Sequence, residues 1–161
     1  MPAYIKKGDY PMEITINGKM SELKFNFKAL FKANSEYSSV ENGVSQGNGA
    51  VLLFLRLIDN DVTVIPDIIK VAGNFGKATN EDKLFEAVDE ITDGGEKIDE
   101  VLTELKDELK QSGFFMKTIT SYKNKVEDNL TVMEAKAKTD ETVSNNLPII
   151  KAMLKSLNEN L

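Results

Sequence analysis

The chain of 161 residues contains no cysteine, no histidine and no tryptophan. The lack of cysteine excludes a disulfide framework and a thiolate metal site, and the lack of histidine removes the usual zinc and copper ligands. The same two absences exclude Ser-His-Asp and Cys-His nucleophilic systems. We therefore expect no catalytic residue, no metal and no cofactor, and the sequence predicts a protein that is not an enzyme.

Long apolar runs are missing as well. The sequence contains no run of about eighteen apolar residues, which is the length that spans a membrane. The first eleven residues hold two lysines with no apolar core behind them, so we do not expect a signal peptide. A composition of 41% hydrophobic and 29% charged residues suits one modest domain with its own core. A cytoplasmic location is the expectation.

Negative charge is concentrated in one part of the chain. The formal net charge is −6, and residues 81–110 alone hold 12 acidic and 4 basic residues, a net charge of −8. Because no broad basic segment exists, binding to a phosphate backbone is disfavoured, and we expect neither nucleic acid nor a membrane as partner. The acidic region is either a solvated helix face or a docking face for a basic partner.

Residues 12–27 predict a β-hairpin. Asn17-Gly18 is the preferred two-residue type I′ turn because both positions need a positive φ. In that register Ile14 faces Ser21, and Tyr10 could face Phe25. One face of the hairpin then collects six apolar side chains: Met12, Ile14, Ile16, Leu23, Phe25 and Phe27. An isolated hairpin is only marginally stable, so this face must be covered by the chain's own helices or by another chain.

The next part of the chain predicts helices joined by polar segments. A short helix at 28–34 precedes a loop at 35–49 that is rich in Ser, Gly and Asn. Residues 50–60 are apolar on all sides and predict either a buried central helix or a buried strand. Asp61 or Thr63 can cap the following helix, in which Pro66 suits the first turn.

Helical periodicity continues to the end of the chain. Thr79 with Asp82 resembles a capping box for a helix that the DGG sequence at 93–95 ends. The strongest amphipathic pattern then runs from Ile98 to Leu109. From Phe115 to Ala137 apolar residues repeat every three or four positions, which favours either core packing or a coiled-coil seam. Residues 139–146 predict a polar linker and 147–161 a last short helix. The expected fold class is α+β, mostly α, with an N-terminal β-hairpin followed by a bundle of about five to six helices.

Two stretches imitate ligand-binding loops. DEITDGGEKIDE, residues 89–100, is similar to a calcium loop, but its third position is Ile91, which cannot ligate a metal. GNFGKAT, residues 73–79, has only two residues between Gly73 and Gly76 where a phosphate loop needs four. Both are better explained as turns.

Five segments in a fixed order resemble a known family. They are the hairpin ITINGK…ELKFNF with its following helix, an apolar helix that ends in D-x-D, the sequence PDIIKVA, a Thr-led helix of the form TxEDxxFEAVDE, and an acidic helix that ends LKQSGFF. Together they are similar to the tail assembly chaperones of siphophages and prophages of Gram-positive bacteria. The resemblance covers roughly residues 12–120.

This resemblance implies a non-enzymatic role in the cytoplasm of the host cell. Such chaperones bind the long tape measure protein and keep it soluble until tail tube subunits polymerise around it, and they are absent from the mature virion. A programmed frameshift often gives a longer form that recruits the tube protein, and the chaperones tend to self-associate. The implied domains are a leader at 1–11, the hairpin and helical chaperone domain at 12–130, and a polar linker with a C-terminal helix at 131–161.

A chaperone for a helical client needs apolar stripes that a partner can reach. We predict a protein-interaction surface on the two best stripes, formed by Ile98, Leu102, Leu105, Leu109, Phe114, Phe115, Ile119, Tyr122 and Val126. The main alternative function is a helical adaptor or scaffolding protein that binds another partner. A small nucleic-acid-binding regulator and an enzyme are weaker alternatives.

Overall fold

The computed structural model describes residues 4–5, 12–75 and 80–161. Its strands and helices, in chain order, are β1 Tyr4–Ile5, β2 Glu13–Ile16, β3 Lys19–Glu22, α1 Phe27–Glu36, β4 Val40–Glu41, β5 Val44–Ser45, α2 Gly49–Ile58, α3 Val64–Ala72, α4 Glu81–Ile91, α5 Ile98–Gln111, α6 Gly113–Ala137 and α7 Glu141–Asn160. The predicted fold class is confirmed, and the described residues form seven helices where five to six were expected. None of the helices in these three ranges is both long and apolar enough to cross a membrane.

The hairpin has the predicted register. Ile14 lies opposite Ser21 in the antiparallel pair of β2 and β3. Asn17 and Gly18 both have a positive φ, 53° and 76°, as a type I′ turn requires. Strand β1 pairs with the other edge of β2, where Tyr4 faces Ile14. The expected partner of Phe25, Tyr10, lies outside the described residues.

The apolar face of the hairpin is covered by the same chain. Met12, Ile14, Ile16 and Leu23 are buried, and β2 packs against α4. The prediction is wrong for Phe27, which is 60% exposed and begins α1 instead of continuing β3. The reason is Asn26, whose side chain accepts a hydrogen bond from the Ala29 N–H at 3.1 Å and so starts the helix there.

Helix α2 is the central helix of the core, and the alternative of a buried strand is wrong. Ala50, Val51, Leu53, Phe54 and Leu57 are all buried, and α2 packs against five other helices, α1, α3, α5, α6 and α7. A helix buried on most sides needs apolar residues all round, which is the pattern that its sequence shows.

The loop at 35–49 is more ordered than predicted. Helix α1 continues to Glu36, and β4 and β5 then form a second small hairpin. Its turn is Asn42-Gly43, with φ values of 52° and 77°. The same Asn-Gly signal that identified the first hairpin was therefore present here too.

The predicted N-cap position is confirmed for α3 and is wrong for α4. Thr63 occupies the N-cap of α3, but its own N–H and hydroxyl donate to Asp61 Oδ1 at 3.0 and 2.6 Å. Thr79 lies outside the described residues, and the N-cap of α4 is Asn80, whose side chain accepts from the Asp82 N–H. The DGG stop is confirmed, because residues 93–95 all have a positive φ.

The C-terminal part is a pair of long helices, and the predicted linker at 139–146 is wrong. Asp140 caps α7 by accepting hydrogen bonds from the N–H groups of Thr142 and Val143, so the helix starts well before Pro148. Helix α6 runs without a break through residue 130, the predicted end of the chaperone domain. The division into domains stays a prediction. Polar contacts such as Glu134–Lys151 set α6 and α7 antiparallel.

Candidate protein-interaction surface

The predicted stripe on α5 faces the core. Leu102, Leu105 and Leu109 are buried and Ile98 is half-buried, because this side of α5 packs against α2 and α6. A partner could reach these leucines only if the helices separated. Their role in binding stays a prediction, and in this fold their contacts are with the same chain.

The predicted stripe on α6 is divided between core and surface. Phe115 and Ile119 are buried, Tyr122 and Val126 are half-buried, and Phe114 is 49% exposed. Core packing, one of the two alternatives for this pattern, therefore describes the first turns of α6. Phe114 is thus the exposed residue of the predicted stripe, and the role of the other four in binding stays a prediction.

Three exposed phenylalanines meet beside the start of α6, and we call them the aromatic cluster: Phe27, Phe31 and Phe114. Phe27 and Phe31 are 60% and 64% exposed. The ring of Phe27 meets that of Phe114 edge to face at 5.7 Å and lies 6.5 Å from that of Phe31. Aromatic pairs at these separations are attractive, yet each ring still has a large area in contact with water.

Ser112 explains why the aromatic cluster forms. Its hydroxyl accepts from the Phe115 N–H at 3.3 Å, which caps α6, and donates to the Phe25 carbonyl at 2.7 Å. One side chain thus holds the first residue of α6 next to the residues that precede α1. Below the cluster, the rings of Phe25 and Phe115 pack edge to face at 6.2 Å. The cluster is therefore held from underneath by the core.

Helix α1 has two unlike faces. Ala29 and Ala33 are buried, whereas Phe27 and Phe31, four residues apart, point outward. Small residues on the inner face allow α1 to lie close to α2. The sequence analysis assigned Phe27 to the hairpin and did not single out Phe31. The signal that could have found them is the distribution of apolar side chains around α1. The large ones, Phe27 and Phe31, share one helical face, whereas the opposite face holds Ala29 and Ala33.

Lysine is the only type of charged residue in the two chain segments that contain the aromatic cluster. Residues 23–35 and 109–126 contain seven lysines and no acidic residue: Lys24, Lys28, Lys32, Lys110, Lys117, Lys123 and Lys125. Of these, only Lys123 takes part in an ion pair within the described residues, with Glu127 at 3.7 Å. We call the surface made by the aromatic cluster and these two segments the α1–α6 face.

Two grooves extend the α1–α6 face. One, of about 530 Å³, lies between the β4–β5 hairpin and α6, and Tyr122, Lys117 and Lys125 line it. The other, of about 430 Å³, lies between β3 and the first turn of α1, where Lys24 and Lys28 line it. Each groove has a single acidic residue in its lining, Glu41 or Glu22. The face is thus mainly cationic along its length, with apolar rings in its centre.

Glu104 on α5 is the one carboxylate whose pKa is strongly raised among the described residues. Burial is the main cause, followed by the charges of Glu108 and Asp107, and together they raise the pKa of Glu104 to about 7. Its Oε2 atom is buried without a hydrogen-bond partner. In the described ranges no group of three or more acidic side chains is arranged to hold a metal ion. The raised pKa of this carboxyl makes the stability of the fold depend on pH.

The chain is similar to a known family of phage proteins. The model of the phage tail assembly chaperone protein family, TAC, matches residues 13–124, which is more than half of the chain. The matched segment begins at β2, ends within α6 and contains the whole aromatic cluster. No curated protein and no solved structure matches the chain. A family model that covers this much of the fold shows that the chain belongs to the phage tail assembly chaperone family.

Proposed function

We propose that this protein binds the tape measure protein in the cytoplasm of the host cell and keeps it soluble while the tail is assembled. In this proposal the chaperone also helps to recruit tail tube subunits, in part through a longer frameshifted form, and it leaves before the virion matures. Family membership implies a non-enzymatic role in tail assembly. The proposal adds which protein is the client and which surface of this chain binds it.

The aromatic cluster is the observation that supports this proposal. Three adjacent half-exposed phenylalanines are unusual on a soluble surface, and contiguous apolar patches mark interaction sites. Burying one such side chain fully contributes about 1.5–3 kcal/mol. Aromatic residues that a partner covers at the centre of an interface commonly supply most of its binding energy. The cluster therefore offers a ready anchor for an apolar client.

Co-expression with the tape measure protein of the same phage tests the proposal. The wild-type chain should hold the client in the soluble fraction, and the variant Phe31→Ser/Phe114→Ser should not, because two of the three anchor rings are lost. Phe85→Ser/Ile149→Ser is the matched control, since it removes two exposed apolar side chains from α4 and α7. The soluble client is measured by gel densitometry after centrifugation.

The choice of variants follows from burial. Charged residues in place of Phe115 or Ile119 would unfold the chain, since both side chains are buried in the core, and would say nothing about binding. Circular dichroism melts must show the same midpoint for the serine variants and the wild type. Client solubility that is unchanged in Phe31→Ser/Phe114→Ser would contradict the proposed site. Recovery of the chain in purified virions, without the tape measure protein in pull-downs, would favour a structural adaptor.

A further inference from the structure

We infer that the α1–α6 face binds an acidic amphipathic helix of a partner protein. This inference rests on the proposed function, because it specifies the chemistry of the client segment that the chaperone covers. Two properties of the face lead to it: the apolar rings in its centre and the lysines on either side of them.

The first argument is charge complementarity. Lys24, Lys28 and Lys117 are exposed and form no ion pair within the described residues. Exposed lysines in the rest of the described chain are of both kinds, since Lys83 and Lys151 have carboxylates at 3.2 Å, whereas Lys97 and Lys136 have no ion pair among the described residues. The property that distinguishes the face is that residues 23–35 and 109–126 contain no acidic residue. A surface with several cations and few anions selects an acidic partner and disfavours a basic one, since like charges brought together at an interface are costly.

The second argument is shape. The outward positions of α6 run from Phe114 through Lys117 and Ser121 to Lys125, and the last three line the groove beside the β4–β5 hairpin. The eleven residue steps from Phe114 to Lys125 span about 16 Å, which is the length of about three turns of a partner helix. An amphipathic helix with apolar residues every three or four positions can place them on the aromatic cluster while acids on its flanks reach the lysines.

A second copy of this chain does not supply such a helix in the described fold. Its acidic helices are α4 and α5, and their apolar stripes are already buried in their own core, as Leu84 and Leu105 show. Among the described residues of these two helices, Phe85 is the one large exposed apolar side chain, and a single side chain does not make an apolar stripe. A partner that provides both an apolar stripe and acidic flanks must therefore be another protein.

Three helical peptides of about twenty residues test the inference. All carry the same leucine stripe, flanked by Glu, by Gln or by Lys, and binding to the full chain is measured by fluorescence anisotropy. The Glu-flanked peptide should bind at least about tenfold more tightly than the Lys-flanked one at low ionic strength, and the ratio should fall as salt is added. Equal affinity for all three peptides would overturn the inference.

Charge reversal on the face supplies the second measurement. Lys28→Glu/Lys117→Glu should invert the order of the peptides. Lys97→Glu/Lys155→Glu makes the same change in net charge at exposed positions outside the face and should keep the order. A preference for the Glu-flanked peptide that survives Lys28→Glu/Lys117→Glu would overturn the inference, because the preference would then come from another surface.

The two proposals can fail separately. A chain that solubilises the tape measure protein but shows no preference among the peptides supports the proposed function and overturns this inference. A chain that prefers the Glu-flanked peptide but leaves the tape measure protein insoluble supports the proposed chemistry of the face and contradicts the proposed identity of the client. Sedimentation at several concentrations tests whether a second copy of the chain occupies the face. Self-association that Phe31→Ser/Phe114→Ser abolishes, without peptide binding, would overturn the inference by making a second copy the occupant.

Discussion

Arg56 is the only arginine in the chain, and it ties the end of α2 to the start of α3. Its Nε and Nη1 atoms each lie 2.8 Å from a carboxylate oxygen, of Asp61 and Asp67, and its Nη2 donates to the Thr63 hydroxyl at 3.0 Å. Only a guanidinium can serve three acceptors from one planar group. The two aspartates belong to the D-x-D and PDIIKVA segments that carry the family resemblance, so these landmarks have a structural role.

Replacing Arg56 by lysine should therefore cost more than loss of an ordinary surface ion pair. We expect Arg56→Lys to lower the free energy of unfolding by about 1–2 kcal/mol, because the three donors of an ammonium share one nitrogen atom and cannot all reach acceptors that are spaced around a planar guanidinium. Urea denaturation measures this change. The control Lys83→Met removes the exposed Lys83–Glu86 pair and should cost less than about 0.5 kcal/mol. Equal costs would show that the Arg56 contacts contribute no more than a surface pair.

Glu104 predicts a pH dependence of stability. The pKa of its carboxyl is about 7 in the folded chain against an ordinary value of 4.5, so the folded state binds the proton more tightly. The folded chain is therefore favoured at low pH, and this advantage is lost as the pH rises from about 4.5 to 7. Glu104→Gln should be more stable than the wild type at pH 8 by about 1 kcal/mol, a value discounted for partial exposure, and the gain should disappear near pH 4.

Urea denaturation at both pH values checks this prediction. Glu100→Gln, at an exposed position of the same helix, is the control, because its carboxylate keeps contact with water in the folded chain. A gain in Glu104→Gln that is the same at both pH values would be a general effect of glutamine and would refute the assignment.

At the scale of elements, the close packing of α1 on α2 depends on a glycine. A side chain at Gly49 would overlap the backbone carbonyl of Ala33. The first turn of α2 is capped from outside the helix, since the Gly49 N–H donates to the Ser38 hydroxyl at 2.8 Å and the Ala50 N–H donates to Asn34 Oδ1 at 2.9 Å. The end of α1 thus supplies the acceptors that α2 lacks at its own N-cap.

The two glycines at helix starts should respond in opposite directions to alanine. Gly49→Ala should destabilise the fold by about 2–4 kcal/mol, because backbone atoms of Ala33 and Ser38 must move to admit the methyl group. At Gly113 an added methyl group meets no atom within 4 Å, and Gly113→Ala should stabilise the fold by up to about 1 kcal/mol. Thermal denaturation of the two variants measures the difference. A similar midpoint for both would contradict the packing of α1 on α2.

Elements set by local chemistry could be predicted from the sequence, and those set by tertiary contacts could not. The Asn17-Gly18 turn fixed the hairpin register, because a two-residue turn leaves no freedom of pairing. The start of α7 was missed because residues 139–146 are mostly polar and predict a linker, whereas Asp140 opens the helix and α6 packs along it. On α6 two adjacent phenylalanines, Phe114 and Phe115, made the inward and outward faces hard to separate by spacing alone. Of this predicted stripe, Phe115 and Ile119 therefore face the core and Phe114 is exposed, and the role of these residues in binding stays a prediction.

At the scale of the whole molecule, the C-terminal helix is part of the core. Leu154 and Leu157 of α7 are buried, and α7 packs against α2 as well as α6. These residues lie beyond the segment 13–124 that the family model matches. The sequence analysis found no family counterpart for them, and resemblance alone could not show that they complete the core beside α2.

Two leucines of α7 test this arrangement. Leu157→Ala should lower the free energy of unfolding by about 2–4 kcal/mol, because it leaves a cavity in the core. Leu147→Ala lies on the same helix where the side chain is only half-buried, and its cost should be below about 1.5 kcal/mol. The two changes have the same effect on helix propensity, so chemical denaturation isolates the contribution of burial. If Leu157→Ala cost no more than Leu147→Ala, α7 would not be packed on α2.

The aromatic cluster also has a spectroscopic consequence. The chain contains no tryptophan, so Phe114→Trp would introduce a single indole at the centre of the α1–α6 face. With excitation at the long-wavelength edge of the indole band, where the four tyrosines of the chain do not absorb, its emission would report on the polarity of that face. Contact with a partner would remove water from the ring and shift the emission to shorter wavelength. One conservative replacement thus makes occupancy of the face visible in real time.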